Sequence, residues 1–389
     1  MLREHRKLAG IATILVTLVV TAVVADVALW VFARLPNPFA ELERLHPQVN
    51  QYIRIEYPRD YAAKTIPEEG LPGMTRGPNR FTTNNMGFRG GPLVRPKPTG
   101  EFRLFLVGGS TTECFYIDDD KELGAVLQGA LNETAPAGTR VAVYNVGLSG
   151  AASDDHVAMI DQRLVHLEPD MIVVFSGIND LLRSMHGWDY LHYMPYAPAP
   201  RKPWYKRLIL MSQIARRLYY FTHNIVMSES ERQQQRPLKS DYAAKIGLER
   251  TIPPTDSVPR TDVPSYATNL ETLVGVSKAQ RFRLVFMTQQ TTWNSAVDPE
   301  AKRWHWLRLC EGVTYREDRM DTALESLNDA MRRVAGEHAV PLYDLARELP
   351  KSLEYFYDDC HFNDRGAANT AQALAEFLRE SDLVPTTAR

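Results

Sequence analysis

The chain has 389 residues, 44% of them hydrophobic, which exceeds one average domain and is ample for a buried core with appendages. Its 45 basic and 47 acidic side chains leave a formal net charge of -2, so no electrostatic footprint supports nucleic-acid binding and that class is excluded.

Residues 1–34 differ in composition from the rest. Arg3, Arg6 and Lys7 precede an apolar run from Leu8 to Ala33, interrupted only by Thr13, Thr17, Thr21 and Asp26. A bilayer core needs about 20 apolar residues, and this run supplies them. The next stretch, Leu35 to Val49, holds Arg44 as its only basic residue, so the positive-inside rule keeps the N-terminus cytoplasmic and sends the rest of the chain outside. A small-residue site near Val23-Val24-Ala25 offers a cleaved signal peptide instead, but the apolar run continues past it through Val27 to Ala33 and favours an uncleaved anchor. Residues 35–100 then form a linker and N-terminal extension rich in Pro, Arg and Asn.

From residue 101 to 389 short apolar runs alternate with helical periodicity. Phe102 to Val107, Val141 to Val146, Met171 to Phe175, Arg281 to Thr288 and Val340 to Leu345 read as strands. His156 to Leu167, Ala323 to Ala335 and Arg365 to Glu380 read as helices. Alternation of this kind predicts a parallel sheet covered by helices. An irregular insertion at about 184–260 breaks the pattern. Within it Lys206, Arg207, Arg216 and Arg217 alternate with Trp204, Tyr205, Leu208, Leu210, Tyr219, Tyr220 and Phe221, a composition suited to a covering helix or to a lipid interface.

Four blocks carry the chemistry. Ser110 follows the first strand in Gly108-Gly109-Ser110-Thr111-Thr112, Gly150 follows the second, Asn179 follows the third in Gly177-Ile178-Asn179-Asp180, and Asp358-Asp359-Cys360-His361 precedes the last helix. Each pattern is weak alone, but their order places three of them beyond strand carboxyl ends, where open α/β sheets bind ligands. Ser110 would be the nucleophile, His361 its base and Asp358 the acid that orients the base, with Asp359 and Asp364 as alternative acids. The backbone amides of Ser110 and Gly150 and the side chain of Asn179 would form an oxyanion hole. A phosphate loop is the rival use of the first Gly-rich turn, yet no Lys follows the glycines. The remaining histidines lack metal-ligand spacing, and a site of this organisation needs no cofactor and no metal.

Three cysteines allow at most one internal bridge. In an exported domain Cys360 has Cys114 and Cys310 as candidate partners, against three unpaired thiols.

The order and context of the four blocks resemble the SGNH/GDSL hydrolases over roughly Phe102 to Leu378, including Asn145-Val146-Gly147-Leu148-Ser149-Gly150. The resemblance implies a three-layer α/β/α, flavodoxin-like fold and assigns the family's Ser, Gly, Asn and His to Ser110, Gly150, Asn179 and His361, with Asp358 as the triad acid. Gly109 stands where many members have Asp, as in membrane-anchored bacterial envelope members. Thr83-Asn84-Asn85-Met86-Gly87-Phe88-Arg89-Gly90 resembles the lead-in of those same members. The expected protein is a single-pass bacterial membrane esterase whose catalytic domain faces the periplasm or exterior. Its expected substrate is an acylated envelope glycan or a lipid ester, with O-deacylation of a glycan preferred. An O-acyltransferase, a lipase or lysophospholipase, and a non-catalytic envelope-binding protein are the alternatives. Trp188, Tyr190, Trp293, Trp304 and Trp306 are candidate cleft aromatics for stacking on sugar rings, with core packing an equal alternative.

Overall fold

Strict alternation of side chains along the apolar runs builds a sheet with two apolar faces. Phe105, Val107, Tyr144, Val146, Ile172, Val174, Leu284 and Phe286 enter one core, whereas Leu104, Leu106, Val141, Val143, Met171, Val173, Val285 and Met287 enter the other. Burying each such side chain is worth about 1.5–3 kcal/mol, which is why both faces must be covered. The computed structural model describes residues 2–35, 53, 56–187, 209, 211–222, 238–239 and 251–387. They fall into two compact units, Met1–Leu45 with Tyr196–Arg236, and His46–Pro195 with Pro237–Arg389.

In the larger unit β1 (Ala62–Ile66) and β2 (Asn79–Thr82) form an antiparallel hairpin. The main strands β3 (Glu101–Gly108), β4 (Arg140–Gly147) and β5 (Met171–Phe175) follow, then the short β6 (Leu238–Lys239) and β7 (Pro254–Thr255). β8 (Arg283–Met287) is a main strand, β9 (Leu309–Cys310) and β10 (Val313–Tyr315) are short, and β11 (Leu342–Tyr343) closes the main sheet. Its order is β11-β8-β5-β3-β4, with every pairing parallel. The chain winds outward in opposite directions from β3, making the carboxyl end of β3 the topological switch point.

The helices are α1 (Leu2–Phe32), α2 (Ser110–Glu113), α3 (Leu123–Asn132), α4 (Ser153–Gln162), α5 (Ile178–Met185), α6 (Gln213–Thr222), α7 (Val263–Gln280), α8 (Pro299–Lys302), α9 (Glu317–His338), α10 (Leu345–Glu348) and α11 (Asp364–Glu380). α4, α7 and α9 cover one face of the sheet through Met159, Ile160, Leu270, Leu273, Leu324 and Leu327. α3 and α11 cover the other through Leu123, Leu127, Leu131, Leu374 and Leu378.

Three elements differ from their sequence readings for identifiable reasons. The strand expected from Arg281 starts at Arg283 because Arg281, at φ 60°, ends α7 in the left-handed region. The strand expected over Val340 to Leu345 shrinks to Leu342–Tyr343, an edge with a single partner, and Leu345 already opens α10. His156 to Leu167 is two pieces, since Arg163 at φ -137° stops α4 before a 3₁₀ turn over Leu164–Leu167. Most of the 184–260 insertion, including Trp188, Tyr190 and Trp204, lies outside the described residues. Within the smaller unit, Ala9–Phe32 of α1 is 24 residues long with mean hydropathy 2.5 and none of its most apolar window buried.

Candidate active site

Register brings the blocks together. Gly108 pairs with Gly147 on one side and with Phe175 on the other, so β3, β4 and β5 release their chains at one level of the sheet edge. Ser110 begins α2 two residues after this level. The close approach of α2 to β4 leaves no space at Gly147, where a Cβ would lie 2.2 Å from the Glu113 nitrogen. Gly150 sits in the β4–α4 connection at φ 77°, a left-handed conformation that favours glycine. Asn179 is in the first turn of α5 and is buried. It donates from Nδ2 to the Ala151 carbonyl at 2.8 Å, leaving its second amide hydrogen uncommitted by that bond.

The loop between α10 and α11 carries Asp358 and His361. His361 Nε2 lies 2.7 Å from Ser110 Oγ, and His361 Nδ1 lies 2.7 Å from Asp358 Oδ2. A carboxylate only accepts, so this contact fixes the proton on Nδ1 and leaves Nε2 to accept from the serine hydroxyl in the neutral ring. Asp358 is fully buried. Its Oδ1 accepts from the Cys360 and His361 amides at 3.0 and 2.7 Å, and its Oδ2 also accepts from the Trp306 indole at 2.9 Å. Burial by itself would depress the imidazole, but the charge and hydrogen bond of Asp358, together with the neighbouring Cys360 and Tyr357, hold the His361 pKa well above the usual histidine value.

Asp359 and Asp364 are placed elsewhere. Asp359 turns away from the imidazole and accepts from the Trp293 indole and the Trp306 amide, both at 2.7 Å. Asp364 opens α11 and accepts from the Thr75 hydroxyl. Trp293 is therefore a fully buried strut under the loop rather than a cleft aromatic. Trp306 is half-buried, and its ring and that of Tyr357 lie nearly parallel to the imidazole, at 4° and 9°. Beneath them Thr292 Oγ1 meets His305 Nε2 at 2.9 Å, and burial takes the His305 pKa down to about 3, keeping that ring neutral.

Several supporting residues carried no assigned role in the sequence. Glu113, at the end of α2, accepts from Tyr57 Oη at 2.6 Å and from the Ser149 amide at 3.1 Å, so it ties the Ser110 helix to the residue before Gly150. Burial raises its pKa. Arg89 is buried and donates to the carbonyls of Glu113, Cys114 and Ile117 at 2.8, 2.8 and 2.9 Å, satisfying the open end of α2. Asn145 joins β4 to the same helix through the Thr112 carbonyl at 2.6 Å. The 83–90 lead-in thus frames α2. The signal for it was Arg89 amid turn residues, but its carbonyl partners lie 24 to 28 residues downstream.

All three cysteines are buried free thiols, so neither bridge from Cys360 forms. Burial pushes the Cys114 thiol up to about 12 and raises that of Cys360. Asp358, Cys360 and His361 place donor atoms within 4.8 Å of one another. A metal there would have to displace the Asp358–His361 hydrogen bond and deprotonate a buried thiol, so the donor set suits the hydrogen-bonded chain better.

The model of the GDSL-like Lipase/Acylhydrolase family matches residues 106–368. The chain belongs to that family. This GDSL-like acylhydrolase is accordingly a serine ester hydrolase with a central five-stranded parallel sheet. Among solved structures, the lipase/acylhydrolase from Enterococcus faecalis is similar over 74% of this chain and 100% of its own, at 15% identity and a TM-score of 0.41. Axe2, an acetylxylan esterase from Geobacillus stearothermophilus, is similar over 74% and 97%, at 16% identity and a TM-score of 0.40. No curated protein matches this GDSL-like acylhydrolase.

Proposed function

We propose that the protein is an anchored esterase that removes small acyl groups from an envelope glycan through an acyl-enzyme on Ser110. The observation that carries the reading is the unbroken Ser110–His361–Asp358 hydrogen-bonded chain, 2.7 Å at each link. Ser110 Oγ attacks the ester carbonyl as its proton passes to His361 Nε2. The oxyanion is held by the Ser110 and Gly150 amides and by Asn179 Nδ2. Collapse breaks the ester bond, and Nε2 returns the proton to the leaving sugar hydroxyl. Water, deprotonated by the same nitrogen, then releases the acyl group as a carboxylic acid. Part-exposed Trp304 and Trp306, grouped with Tyr357 beside the base, support recognition of a sugar ring. The apolar length of Ala9–Phe32 supports an uncleaved anchor, with the basic N-terminus cytoplasmic and the catalytic domain outside the membrane.

The test is ester release from p-nitrophenyl acetate and a longer-chain ester by the whole protein in detergent, with and without a glycan acceptor. Acetate release that needs Ser110 and falls with chain length fits the proposal. A preference for long chains would turn the reading to lipolysis, and release that requires the acceptor would turn it to acyl transfer.

Gly109 tests the oxyanion assignment separately. A Cβ there would lie 2.4 Å from Asn179 Nδ2, although the backbone φ of -85° suits any residue. Gly109→Ala should therefore push Asn179 aside and lower kcat on the order of 10²-fold, the cost of losing one oxyanion donor. Retention of wild-type kcat in a folded Gly109→Ala protein would remove Asn179 from the hole.

A further inference from the structure

We propose that α6 is a membrane-interface helix, clasped to the outer end of the α1 span and resting its outward face in lipid. The proposal depends on Ala9–Phe32 being a membrane anchor, and the experiment below separates the two.

The helix is inside out. Its approach and body expose Met211, Ile214, Leu218 and Phe221 at 74, 40, 62 and 82%, a 3-4-3 spacing that forms one apolar stripe. Gln213, Arg216 and Tyr220, on the opposite side, are 0, 5 and 4% exposed. A helix surrounded by water buries the first set and solvates the second. Here Gln213 and Arg216 of that set are bonded to the turn after α1. Leu35 donates its amide to Gln213 Oε1 at 2.8 Å, Arg216 donates to the Leu35 carbonyl at 2.8 Å, and Arg217 donates to the Ala33 carbonyl. Asp26, the single ionisable side chain between Ala9 and Phe32, accepts from Ser212 Oγ and from the Ile214 amide, both at 2.8 Å. The acid that interrupts the apolar run is thus the cap of a second helix. Trp30 donates to the Met211 carbonyl at 3.3 Å, and the Arg34 and Arg216 guanidiniums lie 4.4 and 5.3 Å from its ring centroid. Trp and Arg together mark the level where a span meets headgroups.

Lipid is the occupant that continuity selects. Val27, Val31 and Phe32 at the same end of α1 are 57, 67 and 85% exposed, and the α6 stripe extends this apolar surface beyond the span. Without a bilayer both surfaces would face water.

The full-length protein, labelled with an environment-sensitive fluorophore at Leu218→Cys, Phe221→Cys or Val19→Cys in turn, is reconstituted into phosphatidylcholine and phosphatidylglycerol nanodiscs containing spin-labelled quencher lipids. Labels at these exposed sites leave the fold intact, and the buried native thiols are checked in the unsubstituted protein. Loss of fluorescence at Val19 together with loss at Leu218 and Phe221 is the expected result, strongest with quenchers near the headgroup for the two α6 sites. Quenching at Val19 alone keeps the anchor and overturns the interface helix. No quenching at any site overturns the anchor and the inference with it. Fluorophore self-quenching between copies at Leu218, without lipid quenching, would assign the stripe to a protein contact and likewise overturn the proposal.

Discussion

Ser110→Ala should lower kcat for an activated acetate ester on the order of 10⁶-fold, and His361→Ala by a similar factor, while the double substitution should be no slower than either single one. Non-additivity follows from the shared proton. Ser110 Oγ and His361 Nε2 sit 2.7 Å apart, so the hydroxyl is a competent nucleophile only while the imidazole can take its hydrogen. Once either partner is gone, the other has nothing to act on. Residual turnover would come from the oxyanion donors alone. Kinetics on purified single and double variants, with circular dichroism to confirm folding, check this. Losses that multiplied in the double variant would show two independent contributions and sink the nucleophile–base pairing.

The second large effect is at Asp358 and has a pH signature. The active form of His361 as the proposed base is the neutral imidazole, and the Asp358 carboxylate stabilises the charged one. In the native enzyme kcat/KM should therefore rise with pH through an acidic limb centred above the ordinary histidine value of about 6.5. Asp358→Asn removes the opposing charge and leaves burial, which favours the neutral ring, so the limb should move to lower pH. The rate should nevertheless fall on the order of 10⁴-fold, because the amide no longer fixes the Nδ1 proton and the ring can settle in the wrong tautomer. A limb that stays in place after Asp358→Asn would separate it from His361. The same linkage acts on folding. A raised folded-state value contributes stability that is fully present below about pH 6.5 and is lost as pH climbs through the His361 value. The Asp358–His361 pair therefore adds least to stability at the pH where the base is best able to act.

What could be read in the sequence, and what could not, divides by the distance between partners. The main strands were legible because period-two burial leaves its mark within a few residues, as in Val141–Val146. The placement of Ser110 and Asn179 was legible because they sit at fixed offsets from strand ends, and the proximity of Asp358 to His361 because three residues of one loop join them. Asp358 and Asp359 could not be separated by spacing. What separates them is Trp306, some fifty residues away, whose indole goes to one carboxylate and whose amide goes to the other. The sequence leaves Trp293 between cleft and core for a similar reason, since nothing local distinguishes an aromatic strut from an aromatic cleft wall. The two faces of α6 were ambiguous in composition, because Arg216 reads as a solvated cation until Leu35 is seen accepting from it.

Tyr57 and Arg89 both lie upstream of the segment that matches the family, which starts at residue 106. The residues proposed for the triad and the oxyanion hole all fall within the matched segment, yet the helix bearing Ser110 is gripped from outside it, through Glu113 and the carbonyls that Arg89 collects. The inherited chemical module and the mechanical module thus have different edges. A transplant of residues 106–368 into another scaffold would carry the proposed reacting groups without the Tyr57 and Arg89 contacts that brace the Ser110 helix. Grafting and truncation of this enzyme should accordingly place the near boundary of the working unit upstream of Tyr57, not at the first main-sheet strand.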